Sequence, residues 1–450
     1  MPDTNQTRIE HDLLGDVNVP SQALWGAQTQ RALANFPPQG QRTVGDFPTL
    51  VQGLIRIKQA AAFANRDIGK LADDIANAII MAGESVLKER RYDLFPVHYL
   101  HGGGGTSANM NANEVLANIG EELLGGKRGA YSRIHPNDHV NLNQSTNDVY
   151  PAACHMAIIL QWPDLKHGMD MLAKAISTKA AELAPVMRIA RTCLQDAVAI
   201  SFADLFGGYS SFVKRSIERT ETAVNALYAV PLGGTIVGRA SDVPTAYMDA
   251  IIPALIKSAK NDRYRQSKNL FDAAQNMDDI VQVSAALDIT ARGIVKISKD
   301  LRLMNSGPET GFCEISLPAV QPGSSIMPGK VNPVIPEFAV QLAFKVMGNH
   351  TGCLAAMDHG ELDLNVWESI ATFNILESME LMQNCCATLA TKCIKGLSVN
   401  LSRNNDNAGT IIPLLTELMK QHGYSKVSKI CAVAQGNLTR LRKLLREKFP

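Results

Sequence analysis

Seven residues, Ile280, Val283, Leu287, Thr290, Ile294, Ile297 and Leu301, follow one another at alternating steps of three and four. A strand cannot use that spacing, because it presents one face every second residue, whereas a helix returns to the same face every 3.6. The run predicts a helix of about 25 residues, roughly 37 Å long, with a narrow apolar seam suited to packing in a bundle. A second run over 164–187 carries Leu165, Met169, Leu172, Ile176, Ala180 and Leu183, and a third begins near Glu337 with Phe338, Leu342 and Val346. Helices of this length exceed the usual helix of about 11 or 12 residues, and long antiparallel neighbours are the simplest way to bury them. Strands and helices do not alternate, so a doubly wound nucleotide-binding sheet is not expected.

Charge and composition then narrow the partners. The 450 residues contain 44 Lys and Arg against 43 Asp and Glu, a net charge of +1, with 46% hydrophobic and 6% aromatic residues. A chain so nearly neutral lacks the bulk basic footprint that nucleic acid or an anionic membrane surface requires, and a small-molecule substrate is expected instead. The longest apolar runs fall far short of the roughly 20 residues that span a bilayer. The opening MPDTNQTRIEHD has no apolar stretch of signal-peptide type. Cys154, Cys193, Cys313, Cys353, Cys385, Cys386, Cys393 and Cys431 are scattered without a C-x-x-C pair or a histidine at ligand spacing, so neither disulfides nor a metal site is expected. A cytoplasmic protein fits these features.

Three segments between the predicted helices are rich in Gly, hydroxyls or amides. The first, HGGGGTSANMN at 101–111, sets four glycines before Thr106, which lets backbone N–H groups approach a ligand closely; a flexible linker is the alternative. No Gly-Lys-Ser/Thr follows, so it is not a P-loop. The second, HPNDHVNLNQSTND at 135–148, ends in a dense neutral cluster that includes Ser145, Thr146 and Asn147. Such a cluster suits a carboxylate held by hydrogen bonds without a cation, or else a surface loop and helix cap. The third, PGSSIMPGKVNP at 322–333, places Ser324, Ser325, Lys330 and Asn332 between and beyond two glycines, a layout suited to a mobile lid carrying reactive groups; an ordinary Ser-Gly loop is the alternative.

The third segment closely resembles the signature of the aspartase/fumarase superfamily, G-S-S-x-M-P-x-K-x-N followed by Glu, here GSSIMPGKVN at 323–332 with Glu337. The resemblance continues through LWGAQTQRA at 24–32, NMNANEVLAN at 109–118, HPND at 135–138, QSTND at 144–148, LQDA at 194–197, SGP at 306–308 and LNV at 364–366. It implies an all-α protein of three domains, taken as 1–144, 145–396 and 397–450, whose long helices form the core of a homotetramer with active sites assembled from three subunits. It also implies anti elimination across a Cα–Cβ bond with no metal or organic cofactor, and no nucleic-acid or membrane partner.

The same resemblance distributes the roles. Ser324 matches the general base, and Lys330 and Asn332 match the grip on one carboxylate. Thr106, Ser145 and Thr146 match the residues that hold the carboxylate next to the acidic proton, and Ser107, beside Thr106, and Ser325, beside Ser324, are taken as further substrate-binding residues. Asn147 and Thr192 match positions near the leaving group, and Glu337 matches an orienting carboxylate. Ser-Thr-Asn-Asp at 145–148 and Gly-Thr-Ser at 105–107 resemble aspartases, pointing to L-aspartate, whereas LWGAQTQRA and HPND resemble fumarases. Cys193 stands where the family has His or Gln, and Arg239 and Trp367 also depart from its usual motifs. They are pocket candidates that open a third reading, elimination of trimethylamine from ergothioneine through a cation–π contact at Trp367; neutral packing variation is the alternative. A catalytically silent structural relative is a fourth reading. Around 135–138, helix capping by Asn137 or Asp138 is the most economical role.

Overall fold

The computed structural model describes residues 6–449; residues 1–5, where the polar amino-terminal stretch begins, lie outside the described residues. In chain order the first elements are the hairpin β1 (Thr7–Asp12) and β2 (Gly15–Pro20), then α1 (Ala27–Asn35), α2 (Pro48–Asp67), α3 (Asp73–Glu89), α4 (Thr106–Leu123) and α5 (Thr146–Glu182). A second hairpin, β3 (Met187–Thr192) and β4 (Gln195–Ser201), leads into α6 (Phe202–Ala226), β5 (Ala229–Val230), α7 (Thr245–Ala259), β6 (Arg265–Gln266), α8 (Leu270–Gln275) and α9 (Asp278–Met304). The rest comprises β7 (Ile315–Ser316), α10 (Val334–Asp358), α11 (Glu368–Leu389), β8 (Ser398–Val399), α12 (Leu401–Ala408), α13 (Ile411–His422), α14 (Tyr424–Ala434) and α15 (Leu438–Lys448). The fold is mostly α, and among the described residues the strands form only two-stranded pairs.

The chain forms two compact units. The first holds the chain up to Leu165 with Glu218–Ile289 and Lys345–Leu381; the second holds Lys166–Ile217, Thr290–Phe344 and the chain from Met382 onward. In the first unit α2 lies on α5 so closely that a Cβ on Gly53 would meet the Ala153 carbonyl at 2.8 Å. There α10 and α11 are tied by Asn349, which donates to the Glu377 carboxylate at 2.8 Å and to Ser378 Oγ at 3.1 Å. In the second unit α9 meets α6 at Gly293, where an added Cβ would strike the Phe212 ring, and α5 meets α11 where Gly168 faces the Gln383 backbone. The last three helices pack round Ile411, Ala434, Leu441 and Leu445.

The seam in α9 is buried at every predicted position from Ile280 to Leu301. The other two runs are corrected. The helix expected over 164–187 begins at Thr146 and ends at Glu182, passing through Pro151 and Pro163. Each proline removes one backbone donor, but Trp162 and Leu165 are buried on either side of Pro163, and that packing carries the helix across. Met187 belongs to β3. In α10, Phe338 is exposed and Leu342 only half-buried, while the buried face is Ala339, Ala343, Val346 and Cys353. Small residues let neighbouring helices approach, so the larger side chains are turned outward. Among the described residues all eight cysteines are unpaired, and no helix is long and apolar enough to cross a membrane.

The four-glycine run is a built loop. Gly103, Gly104 and Gly105 have φ of 84°, 56° and 91°, a sequence of left-handed residues that only glycine adopts easily. A Cβ on Gly105 would lie 2.2 Å from the buried Tyr150 ring. Gly105→Ala is therefore expected to cost about 2–4 kcal/mol in denaturant unfolding, from overpacking added to backbone strain. Gly125→Ala, at φ 79° with nothing within 4 Å of the new methyl, should cost only about 1 kcal/mol. Equal losses at the two positions would refute the packing account.

Candidate active site

Each polar segment runs into the start of a helix. Thr106 is the first residue of α4, Thr146 the first of α5, and the third segment ends one residue before α10 at Val334. Helix amino termini offer unpaired N–H groups and the positive end of the helix dipole, a neutral means of holding an anion.

In the first unit, the first and second segments are brought together. Asn109, one turn beyond Thr106, donates from Nδ2 to Thr146 Oγ1 at 3.0 Å and to Asn141 Oδ1 at 3.2 Å. Thr106 Oγ1 donates to the Gly103 carbonyl at 2.8 Å and is exposed, and Ser107 follows it on the same turn. Ser145 Oγ accepts the Asn147 N–H at 3.2 Å, and Asn147 Nδ2 donates to the Ile236 carbonyl at 2.8 Å. Beneath them the fully buried Lys58 ammonium donates to Asn141 Oδ1 and Gln144 Oε1, both at 2.9 Å. The Asp148 carboxylate accepts backbone N–H groups of Ser145 at 3.0 Å, Gly233 at 3.0 Å and Thr235 at 3.2 Å, locking 233–235 to the start of α5. Burial pushes Lys58 down to about 7 and Asp148 up to about 6, each partly offset by the other's charge.

Two pocket candidates in this unit have partners of their own. Exposed Arg239 is paired with Asp242 at 2.5 Å. Trp367 donates from its indole N–H to the His359 carbonyl at 2.8 Å and is 45% exposed. The capping expected of Asn137 or Asp138 is corrected: the His135 ring Nδ1 accepts both of their backbone N–H groups, at 3.3 and 3.2 Å, at the head of a single π turn. An imidazole nitrogen one position before Pro136 reaches both donors, which the short side chains inside the turn do not.

The second unit carries the reactive loop. Ser324 Oγ accepts backbone N–H groups of Ile326 at 3.3 Å and Met327 at 3.0 Å, an arrangement that favours negative charge on that oxygen. Asn332 Nδ2 donates to the Gly323 carbonyl at 2.6 Å while Lys330 Nζ donates to Asn332 Oδ1 at 2.6 Å, closing the loop at its neck. Ser325 and Lys330 are exposed. Glu337 is paired with Arg302 at 3.4 Å, and the two flank a cavity of about 520 Å³ that Asn305, Ser306, Lys330 and Asn332 also line. Thr192 and Cys193 sit at the exposed tip of the β3–β4 hairpin, where Cys193 and Leu194 have φ of 53° and 60°.

Sequence reasoning missed Lys58, Asn113 and Arg302. A lone lysine in the apolar stretch LVQGLIRIKQAAAFA is the signal that could have exposed the first, since a charge on a buried helix face must be satisfied by something. Asn113, inside the motif at 109–118, donates to Asn141 Oδ1 at 3.1 Å, a contact that its sequence neighbours do not signal.

A family model described as Lyase matches residues 15–348. Aspartate ammonia-lyases from Bacillus sp and Pseudomonas fluorescens are each 40% identical, over 95% and 98% of this chain and 90% and 92% of theirs. The chain belongs to the aspartase/fumarase superfamily. Among solved structures, a fumarate lyase:delta crystallin from Brucella melitensis is 38% identical with a TM-score of 0.89, over 98% of this chain and 99% of that one. A class II fumarase from Schistosoma mansoni is 31% identical with a TM-score of 0.93, over 98% and 95%.

Among the described residues, Glu368 is a buried carboxyl with no side-chain hydrogen bond or ion pair. Glu368, beside Trp367 at the start of α11, is pushed up to about 8 by burial, opposed only by its own backbone N–H. Its native form keeps a proton that the unfolded chain releases above about 4.5, so its contribution to stability falls as pH rises from about 4.5 to 8. Glu368→Gln cannot ionise. Urea unfolding at pH 5 and pH 9 should show the variant losing about 2–4 kcal/mol less than the wild type between the two. Parallel losses would show that Glu368 does not titrate in that window.

Proposed function

We propose that this chain catalyses the anti elimination of ammonia from L-aspartate, giving fumarate, with Ser324 as the general base. The observation that carries the reading is the Ser324 oxygen, which accepts two backbone N–H groups inside a loop whose neck is closed by Lys330 and Asn332. The likeness to two aspartate ammonia-lyases at 40% identity supports it.

The chemical difficulty is a Cβ proton far less acidic than any side chain. Ser324, as the alkoxide, takes that proton, and the electron pair left on Cβ delocalises into the neighbouring carboxylate as a dianionic enediolate. Thr106, Ser107, Ser145 and Thr146 hold that carboxylate at the starts of α4 and α5, where hydrogen bonds strengthen as its charge grows. The pair then returns to form the Cα–Cβ double bond as the C–N bond breaks, and nitrogen leaves as ammonia. Lys330 and Asn332, with Ser325 beside them, hold the second carboxylate. Asn147, Thr192 and Cys193 face the amine, Glu337 orients the loop through Arg302, and Trp367 and Arg239 lie at the pocket's edge. These side chains suffice for every proton and electron pair, with no metal or organic cofactor written into the scheme.

The reading extends to a cytoplasmic homotetramer with sites shared by three subunits, and to the division at 144/145 and 396/397. Phe338 and Phe344 on α10, and Ile289 and Leu303 on α9, are exposed in the single chain, and an assembly through the long helices would cover them. Light scattering should then give about four times the 48.7 kDa chain mass; a monomer would refute the shared site.

The decisive assay follows fumarate by its ultraviolet absorbance with L-aspartate and L-malate as separate substrates, and thiourocanate by its own absorbance band with ergothioneine. Turnover of L-aspartate is expected, and Ser324→Ala should lower kcat by about 10²–10⁴-fold. Wild-type silence on L-aspartate, or an unimpaired Ser324→Ala, would end the proposal.

A further inference from the structure

We infer that Glu314 is a positioning residue for the proposed site: it clamps the β3–β4 hairpin so that Thr192 and Cys193 are presented in one fixed geometry, and so sets how tightly the amine end of the substrate is held. The inference rests on the reading of Thr192 and Cys193 as contacts to the leaving group.

Glu314 is completely buried, one residue before β7, and both its carboxylate oxygens are engaged. Oε1 lies 2.6 Å from Arg191 Nη1 and accepts Asn407 Nδ2 at 3.2 Å, while Oε2 accepts Arg188 Nη2 at 3.3 Å. Its backbone is fixed as well. The Glu314 carbonyl accepts Asn404 Nδ2 at 2.7 Å and the Asn400 N–H at 3.0 Å, and its own N–H donates to the Met304 carbonyl at 2.8 Å. One residue thus joins the end of α9, the start of α12 and the hairpin.

The hairpin is irregular where that grip acts. Residues three apart on an unbroken strand point to opposite faces, yet Arg188 and Arg191 both reach Glu314. The register shifts between Ile189 and Arg191, with one residue on β3 facing two on β4, so the extra residue of the bulge lies on β4 and the twist of the pair increases locally where the two arginines turn toward Glu314. Arg191 also lies over the Phe312 ring at 4.4 Å.

Beyond the bulge the turn is strained. Cys193 and Leu194 are both left-handed without being glycine, a pairing that hairpins normally assign to Asn and Gly. Leu194 is 74% exposed, so packing of its side chain does not compensate for that conformation. Strain of this kind persists where the surroundings over-determine the backbone. The over-determining contact is the Arg191–Glu314 pair, one residue before Thr192.

The test separates positioning from mere support. Leu194→Gly removes the turn strain without touching any residue of the proposed site; it should leave Tm equal to or above that of the wild type and kcat roughly unchanged, yet raise the KM for L-aspartate about tenfold as the tip loosens. Glu314→Gln should raise KM further. Arg191→Lys, which keeps the charge but loses the forked contact, should fall between, and it stands in if Glu314→Gln fails to fold. A purely structural Glu314 would instead yield fewer folded molecules with KM unchanged. Wild-type KM in both Leu194→Gly and a folded Glu314→Gln or Arg191→Lys, alongside normal wild-type turnover of L-aspartate, would overturn the inference and leave the proposed function standing. Absence of turnover in the wild type would overturn both.

Discussion

The first unit is organised by one buried ammonium. Lys58 sits on the inner face of α2 with no exposed surface, and taking such a charge out of water costs several kcal/mol unless polar atoms replace the solvent. Asn141 and Gln144 supply the oxygens, so the chain between the π turn at Pro136–Val140 and α5 must pass within reach of α2. That path delivers Ser145, Thr146 and Asn147 to the start of α5. Asn109 and Asn113 then converge on the same Asn141 oxygen, tying α4, and with it the glycine loop, to the same point.

Buried carboxylates fix the loops in the same way. Glu114 accepts N–H groups of Gly26, Gln28 and Thr29, doing for the start of α1 what its Gly26 cap, lacking a side chain, cannot. Glu121 accepts those of Ser132, Arg133 and Ile134, Asp148 those of Gly233 and Thr235, and Glu314 holds two arginines. Donors with no partner in their own helix or turn find it in a carboxylate many residues away. The asparagine-rich motif 109–118, with its single Glu114, is explained by this: its polar side chains point inward and hold other segments.

The helix α9 was legible because its buried face is made of large apolar residues at a strict spacing. The inner face of α10 was not, since alanines and a cysteine face its neighbours while Phe338 and Phe344 lie outside. The helix α5 runs through Pro151 and Pro163, because buried residues on either side of each offset the loss of a donor. Within the site, the reactive residues near Ser324 could be named from the resemblance of one short segment. Their supports could not, because Lys58, Arg302 and Glu314 act through partners up to 126 residues away in sequence.

By itself, then, the sequence determined a mostly helical chain with long buried seams, and the chemical types gathered in its three polar segments. Periodicity and composition are local, and a single chain displays them without folding. The tertiary structure decided which segments meet, which helix face is inside, and how a hairpin tip with two left-handed residues is held. Those outcomes depend on satisfying buried charges and backbone donors across large separations, a requirement that only the folded chain imposes.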